Sequence, residues 1–423
     1  MARLSPEAAL AHFAGRAPSS IKMGLERVQA ALARLGHPER QVPALHVAGT
    51  NGKGSTCAMA AACLETTYQT GLYTSPHLIH VNERFRVNGQ DLDDRTLGER
   101  IADVVEVLGV DHELTYFELG TLVAFHHFAE VKVDVAVLET GLGGRLDATT
   151  ACAPRVTCIS PVSFDHQEYL GATLNAIAAE KAGIIKPGVP VICSRQVPEA
   201  LEVIARTADE RKAPLLLQGR DFEAEAAAGG LAWRGRALRL KGLQLPLLGA
   251  HQVQNAALAL ACVEALGDEG FPLSHEAVSR GLSATRWPGR LERLEGEPPV
   301  ILDGAHNPAG IAVLVAALED FSQGRPVHLV FGVLADKDST PMMEVLFPRC
   351  ASVALTPLPS PRSKDPSSYE TWARALVPTL SLHASPGDAL VAARRRASPD
   401  GLILVAGSLV LVGEIRRVYE PLR

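Results

Sequence analysis

Short apolar runs alternate along the chain with longer helical patterns. Leu45-His46-Val47-Ala48, Gly71-Leu72-Tyr73-Thr74, Val133 to Leu138, Val156-Thr157-Cys158-Ile159 and Val189 to Cys193 are too short for helices, and helical patterns separate them. That alternation predicts a parallel sheet covered by helices on both faces. Ahead of it, Pro6 to about Leu35 predicts two helices; in the second, Leu25, Val28, Ala31, Leu32 and Leu35 recur at helical spacing and Gly36 stops it. Asp221 to Leu248 breaks the rhythm, and Gly229-Gly230 between short runs predicts a small antiparallel hairpin. An alanine- and leucine-rich helix follows from His251 to about Leu266. Thr285-Arg286-Trp287-Pro288-Gly289-Arg290 combines proline and glycine and is the best candidate hinge. Beyond it Val300 to Asp303, Val327 to Phe331, Val353-Ala354-Leu355 and Leu402 to Ala406 predict strands of a second, smaller α/β domain. Thr356 to Ser368, with prolines at 357, 359, 361 and 366, is expected to be an ordered surface loop. There is no solenoid-type internal repeat.

Between the first apolar run and a helical segment from Thr56 through Leu64 lies Gly49-Thr50-Asn51-Gly52-Lys53-Gly54-Ser55. Its three glycines permit a tight turn whose amide N–H groups, with a helix N-terminus, surround an anionic phosphate. Lys53 adds a mobile positive charge, and Ser55 a hydroxyl where magnesium bridging two phosphates would lie. The strict pattern G-x-x-x-x-G-K-[ST] fails because Gly54 intervenes between Lys53 and Ser55; the bland alternative is a glycine-rich turn with a solvated lysine. The expected fold is therefore α/β: a P-loop nucleotide-binding domain with a mostly parallel sheet over residues 1–286, and a smaller Rossmann-like domain over 287–423.

The 423 residues exceed one typical core, and an apolar share of 47% with 21% charged residues is that of an ordinary globular protein. A net charge of −6 argues against nucleic-acid binding through a basic field, so an anionic substrate must be met by local positive groups. Seven scattered cysteines with no CxxC pair are expected as free thiols in a reducing compartment. Met1 to Pro6 has no signal-peptide apolar core and no apolar run reaches membrane-span length, so the expected location is the cytoplasm.

Ligands in parallel sheets gather at the carboxyl ends of strands, where several candidates fall. Glu139 closes an apolar run and precedes Thr140-Gly141-Leu142-Gly143-Gly144-Arg145-Leu146-Asp147; it either holds a metal or merely ends a strand, and the glycines imply that something passes close to the backbone. Ser163-Phe164-Asp165-His166 follows the next strand, and His166 is either a metal ligand or a hydrogen-bonded surface group. Lys181, near the end of the pattern Leu174 to Gly183, reads on its own as a cation matched to a helix C-terminus. Thr74-Ser75-Pro76-His77 reads first as a turn. Asp303, before Gly304-Ala305-His306-Asn307-Pro308, either accepts hydrogen bonds from a nucleoside or caps the next helix. Arg290 is long enough to reach a phosphate, although exposed arginines usually do nothing of the kind.

Taken together, GTNGKGS at Gly49 to Ser55, TSPHL at Thr74 to Leu78, ETGLGGRLD at Glu139 to Asp147, Asp165-His166, EKAGI at Glu180 to Ile184, His251 to Asn255, DGAHNP at Asp303 to Pro308 and GSLVLVG at Gly407 to Gly413 resemble the folylpolyglutamate synthase family and its bifunctional dihydrofolate synthase form, within the Mur ligase superfamily. The match runs in order from about Lys22 to the C-terminus. The resemblance implies an ATP-binding central domain and a C-terminal glutamate-ligase domain. It also implies ATP contacts from Asn51, Gly52, Lys53, Gly54, Ser55, Asn255, Arg290, Asp303 and His306, and one or two magnesium ions held by Ser55, Ser75, Glu139 and His166. Lys53, His166 and Lys181 are the implied catalytic residues, Lys181 matching a lysine that is carbamylated in this family. Lys22, Gly24, Leu25, Tyr116, Phe117, Glu118, Leu146, Asp147 and Ala148 correspond to its pterin-substrate region. Two departures bear on the local contacts: Thr150 stands where the family commonly has Asn, and Ser163-Phe164 replaces a Gly-containing pair.

The implied reaction is ATP-dependent addition of L-glutamate to dihydropteroate and to reduced folates, by a cytoplasmic monomer with no nucleic-acid or membrane partner. The alternatives are a monofunctional folylpolyglutamate synthase and, from another class, a non-catalytic nucleotide-binding module. A peptidoglycan Mur ligase would need a further domain ahead of the loop, and only about 45 residues precede Gly49.

Overall fold

The structure is a computed structural model that describes residues 3–16 and 22–419; Met1 and Ala2, in the stretch inspected for a leader, lie outside the described residues. The chain divides into two compact units. The first runs to His77 and continues through Val81–Pro246 and Gln252–Thr285. The second takes everything described from Arg286 onward together with Leu78–His80 and Leu247–His251, which a single cut in the sequence does not capture.

The first unit is built on β1 (Pro43–Ala48), β2 (Thr70–Tyr73), β3 (Phe85–Val87), β4 (Gln90–Asp91), β5 (Val135–Glu139), β6 (Ala153–Ile159), β7 (Val191–Cys193) and β8 (Leu215–Leu217). Their order in the sheet is β4-β3-β2-β5-β1-β6-β7-β8, parallel from β2 to β8, with β3 and β4 antiparallel at one edge. Both faces are covered. Ala44, Tyr73, Ala136 and Leu138 join one core with the helices Asp94–Leu108 and Tyr116–Glu130. Ile159, Val191 and Cys193 join another with the helices Leu174–Ala182 and Pro198–Glu210. Burial on both faces is why the strands read as continuous apolar runs. The antiparallel edge escapes such a reading because Phe85-Arg86-Val87 and Gln90-Asp91 are short and half polar.

The expected hairpin after Asp221 is instead a three-stranded antiparallel sheet of β9 (Glu223–Ala227), β10 (Gly230–Arg234) and β11 (Arg239–Leu243), with β10 central. The third strand forms because Trp233 and Leu231 of β10 and Leu240 and Leu243 of β11 are buried together across the pairing. In the second unit β12 (Glu292–Leu294), β13 (Val300–Leu302), β14 (Val327–Phe331), β15 (Ser352–Leu355), β16 (Leu380–Leu382) and β17 (Leu402–Ala406) form a sheet ordered β12-β13-β17-β14-β15-β16, with only β12 antiparallel. Leu329 and Phe331 face one core and Val330 the other, as strand alternation requires. The proline-rich loop after β15 is anchored by the Ala335 N–H donating to Arg362 O and the Lys364 N–H to Val333 O.

All seven cysteines are free and buried. Among the described residues no helix is long and apolar enough to cross a membrane.

His46 on β1 is wholly buried, and burial, reinforced by the charge of Lys186, pushes its imidazole down to about 3. The unfolded chain therefore binds a proton below the ordinary histidine value that the folded chain refuses. Stability is untouched above about pH 6.5 and is lost as pH falls, by about 2 kcal/mol at pH 5 from this group. The His46→Gln variant should show a smaller loss between pH 7 and pH 5 in urea denaturation than the wild type; equal losses would remove His46 as the cause.

Candidate active site

The loop Gly49 to Ser55 joins β1 to the helix Lys53–Leu64, which starts three residues earlier than expected. The reason is Gly52, which holds a left-handed φ of 86° as the residue before the first turn, so the helix begins at Lys53 and its free amide N–H groups face the loop. A Cβ at Gly52 would stand 2.4 Å from Asn255 Oδ1, and one at Gly49 1.9 Å from Ser160 Oγ. Neighbouring side chains thus fill the space a larger residue would need. Gly52→Ala should cost about 1–2 kcal/mol of stability from the backbone conformation alone and weaken ADP binding, both measurable by thermal shift; an unperturbed variant would contradict this role.

The loop is fastened to the end of β6. Thr50 N–H and Asn51 N–H donate to Pro161 O, Thr50 Oγ1 pairs with the main chain of Ser163 at 3.0 and 3.1 Å, and Ser160 Oγ donates to Asn51 O at 2.8 Å. Nothing in the sequence pattern marks Thr50, Ser160 or Ser163 for this task. Lys53 Nζ folds back on Gly49 O and Thr50 O, both at 3.1 Å.

Lys181 is where the structure departs most from a reading of the residues alone. It is not a solvated cation at a helix end: it is 4% exposed, and its Nζ donates to Gly49 O at 2.8 Å. Burial, with the charge of Lys53 as the next cause, brings its amine down to about 7. Burial removes the solvation that favours the charged form of the amine.

Four adjacent parallel strands, β2, β5, β1 and β6, deliver Ser75, Glu139, the loop and His166 at their carboxyl ends. Glu139 is buried as the last residue of β5 beside Val47, and its Oε2 accepts from the Ser75 N–H at 3.1 Å. Ser75 thus has a contact with a site residue that a plain turn would not need. Ser55 is buried in the first turn of its helix. His166, one-third exposed, has a left-handed φ of 50° and an Nε2 3.8 Å from Asp165 Oδ1. Among the described residues no group of three or more His, Cys, Asp or Glu side chains is placed to hold a metal ion. A buried carboxylate with serine hydroxyls nonetheless has the hard-oxygen chemistry magnesium prefers when phosphates and water complete its shell, so the residues fit that ion.

The glycines after Glu139 are explained in part by protein rather than ligand. A Cβ at Gly144 would lie 2.7 Å from Glu180 O and 2.9 Å from Lys181 O, so this turn rests directly on the main chain of the helix carrying Lys181. Arg145 N–H donates to Glu180 O at 2.7 Å and fixes the contact. Gly141 is pressed against Phe117, whose ring would be 2.6 Å from a Cβ there.

Of the second unit's candidates, Asp303 is buried and accepts from Ala305 N–H at 2.9 Å and Leu291 N–H at 3.0 Å; burial raises its carboxyl, opposed by Arg290. The helix-cap alternative fails, because Asn307 caps the helix Pro308–Ser322. Arg290 Nη1 donates to Gly289 O, and His306 Nδ1 lies 2.8 Å from Gly304 O.

A model of the Mur ligase middle domain matches residues 47–263, and one of the Mur ligase glutamate ligase domain matches residues 289–409. The chain is 36% identical over 416 residues to the dihydrofolate synthase/folylpolyglutamate synthase of Bacillus subtilis, covering 95% of this chain and 96% of that one. The chain belongs to the folylpolyglutamate synthase and dihydrofolate synthase family of Mur ligases. Its fold is that of this family: the Mycobacterium tuberculosis folylpolyglutamate synthase complexed with ADP and AMPPCP superposes with a TM-score of 0.90 at 32% identity, covering 99% of both chains. An Escherichia coli FolC in complex with DHPP and ADP gives 0.89 at 32% identity, covering 98% of both.

Within this family member the pterin-region candidates are spread over several structural tasks. Lys22 is exposed and its carbonyl accepts from Arg27; Gly24 has φ 117° and Leu25 starts the helix Glu26–Arg34. Tyr116 stacks on Phe13 with ring centroids 4.3 Å apart and lies under the Arg84 guanidinium at 5.2 Å. Glu118 closes a capping box with Thr115 and pairs with Arg27 at 2.8 Å. Leu146 is half-buried and Ala148 buried. Asp147 is buried inside the turn, and Thr150 donates its hydroxyl to Gly144 O at 2.6 Å.

Proposed function

We propose that this chain uses ATP to join L-glutamate to dihydropteroate and to reduced folates. The observation that carries the reading is Lys181: a buried lysine whose Nζ is 2.8 Å from the phosphate loop, on a helix seated against the turn that follows Glu139. A kinase or a passive nucleotide module has no use for such a group. An amine brought to about 7 exists partly in its neutral form at neutral pH, the form that reacts with carbon dioxide to give a carbamate. Carbamylation would turn a buried cation into a carboxylate-like group beside the phosphates.

A carboxylate oxygen of the acceptor attacks the γ-phosphorus of ATP, the bond to the β,γ-bridging oxygen breaks, and an acyl phosphate and ADP result. The amine of L-glutamate then attacks the acyl carbon and inorganic phosphate leaves as the amide forms. In the first step an anion attacks an anion. Lys53 and the amides at the start of its helix offset that repulsion. Magnesium, held by Ser55, Ser75, Glu139 and His166, would supply the remaining positive charge. Asn51, Gly52 and Gly54 shape the cradle, Asn255 packs against it, and Arg290, Asp303 and His306 are the second unit's proposed ATP contacts. Lys22, Gly24, Leu25, Tyr116, Phe117, Glu118, Leu146, Asp147 and Ala148 form the proposed pterin region, by direct contact or by shaping it. Fixing two reactants in line is worth roughly 7–11 kcal/mol of barrier. The reading includes a monomer in the cytoplasm, and seven free buried thiols are consistent with a reducing compartment.

Both additions are assigned to this chain because the Bacillus subtilis relative carries both names. Activity with dihydropteroate and with tetrahydrofolate as alternative acceptors tests this: turnover of both is expected, and turnover of tetrahydrofolate alone would make the enzyme monofunctional.

A further inference from the structure

Beneath the turn that follows Glu139 lies a buried polar chain, two of whose three members, His46 and Thr149, have no part in the reaction described above. His46 Nε2, on β1, is 2.8 Å from Thr149 Oγ1. Thr149 Oγ1 is 2.5 Å from Asp147 Oδ1, which also accepts from the Thr149 N–H at 3.0 Å. Asp147 Oδ2 accepts from the N–H groups of Gly141 and Leu142, both at 2.9 Å. His46 and Thr149 have no solvent exposure and Asp147 is 5% exposed.

The direction of the protons follows from the partners. Burial raises the Asp147 carboxyl, opposed by the four donors it faces, and with a donor at every contact it serves as a carboxylate that only accepts. The single hydroxyl proton of Thr149 therefore goes to Asp147, and its oxygen must accept from His46. His46 in turn must carry its proton on Nε2. Its Nδ1 is then a bare lone pair, and Nδ1 is buried without a hydrogen-bond partner. An acceptor left bare is tolerated better than a buried N–H left bare, so the assignment is consistent at both ends. Lys186, the charged neighbour, donates to Thr150 O at 2.8 Å rather than to His46.

We infer that His46, Thr149 and Asp147 are positioning residues that lock the acceptor-side turn Gly141–Ala148 to the strand leading into the phosphate loop. His46 lies on β1 three residues before Gly49, while Asp147 sets the amides of Gly141 and Leu142 immediately after Glu139. The relay therefore fixes the turn relative to the strand that leads into the phosphate loop, and in the ligase reading this spacing sets how the acceptor meets the phosphate. Asp147, also a candidate for touching substrate, has both carboxylate oxygens engaged in holding this turn. This deepens the proposed ligase reading and rests on it.

Thr149→Val keeps shape and removes the hydroxyl, leaving the His46 N–H without its acceptor and Asp147 Oδ1 with only the main-chain N–H of residue 149. The expected result is a KM for the pteroate or folate acceptor raised about 10-fold or more, with the KM for ATP changed less than about twofold and Thr149→Ser restoring wild-type values. Equal rises in both KM values, an unchanged acceptor KM, or failure of Thr149→Ser to restore it would overturn the inference. A second measurement does not depend on variants: nitrogen NMR of histidine-labelled wild-type protein should show His46 as the neutral Nε2–H tautomer, and an Nδ1–H tautomer or an imidazolium would contradict the relay. If the wild type itself shows no acceptor-dependent ATP cleavage, the ligase reading fails, which is distinct from failure of the relay.

Discussion

Replacing Lys181 by alanine is expected to lower kcat at least ~100-fold, and replacing it by arginine is expected not to restore activity. A lysine at a helix end in contact with solvent would tolerate arginine, because only its charge would matter. Lys181 is instead 4% exposed with its Nζ on Gly49 O, and burial brings its amine to about 7. Arginine keeps its charge at every accessible pH and is not a nucleophile for carbon dioxide, so it cannot become the carbamate. The pH dependence has a definite sign. Below about pH 7 the amine is protonated and unreactive, so uptake of labelled bicarbonate, followed by carbon NMR, should fall as pH decreases through that value. Activity restored by Lys181→Arg would show that a positive charge suffices and remove the carbamate from the mechanism.

The second large effect is expected at Glu139. Glu139→Gln preserves shape and can still accept from the Ser75 N–H, now 3.1 Å from Oε2. It removes the negative charge that makes a carboxylate a magnesium ligand. The magnesium concentration for half-maximal rate should rise about 10-fold or more, with much of the rate recovered at saturation. An unchanged magnesium titration would place Glu139 outside the metal's ligands and leave it a support for the Ser75 turn.

The parts of this enzyme legible in its sequence are those determined locally. The phosphate loop is specified by glycines and by the helix it precedes, and Glu139 by the apolar run it ends; the structure has the loop between β1 and that helix and Glu139 at the end of β5. Long-range pairing was hidden. The edge strands Phe85–Val87 and Gln90–Asp91, and the third strand Arg239–Leu243, are short and mixed in polarity, and they exist because of the neighbours they pair with. Lys181 read as a helix-end cation because nothing nearby in sequence reveals that Gly49, 132 residues away, is its partner. Asp303 could be taken for a helix cap because the cap, Asn307, lies only four residues on. The glycine run after Glu139 carried a real signal, close approach to the backbone, but could not say that part of the visitor is the main chain of Glu180 and Lys181. His46 on β1 could be placed in an apolar strand, while its tie to Thr149 and Asp147 emerges only when two loops and a strand are folded together.

The measurement that most directly tests the central claim is phosphate release from ATP with L-glutamate and a pteroate or folate acceptor supplied separately and together. Sustained phosphate release that requires both, with amide product formed in equal amount, is the predicted result. ATP cleavage indifferent to the acceptor, or no cleavage with any combination, would contradict it.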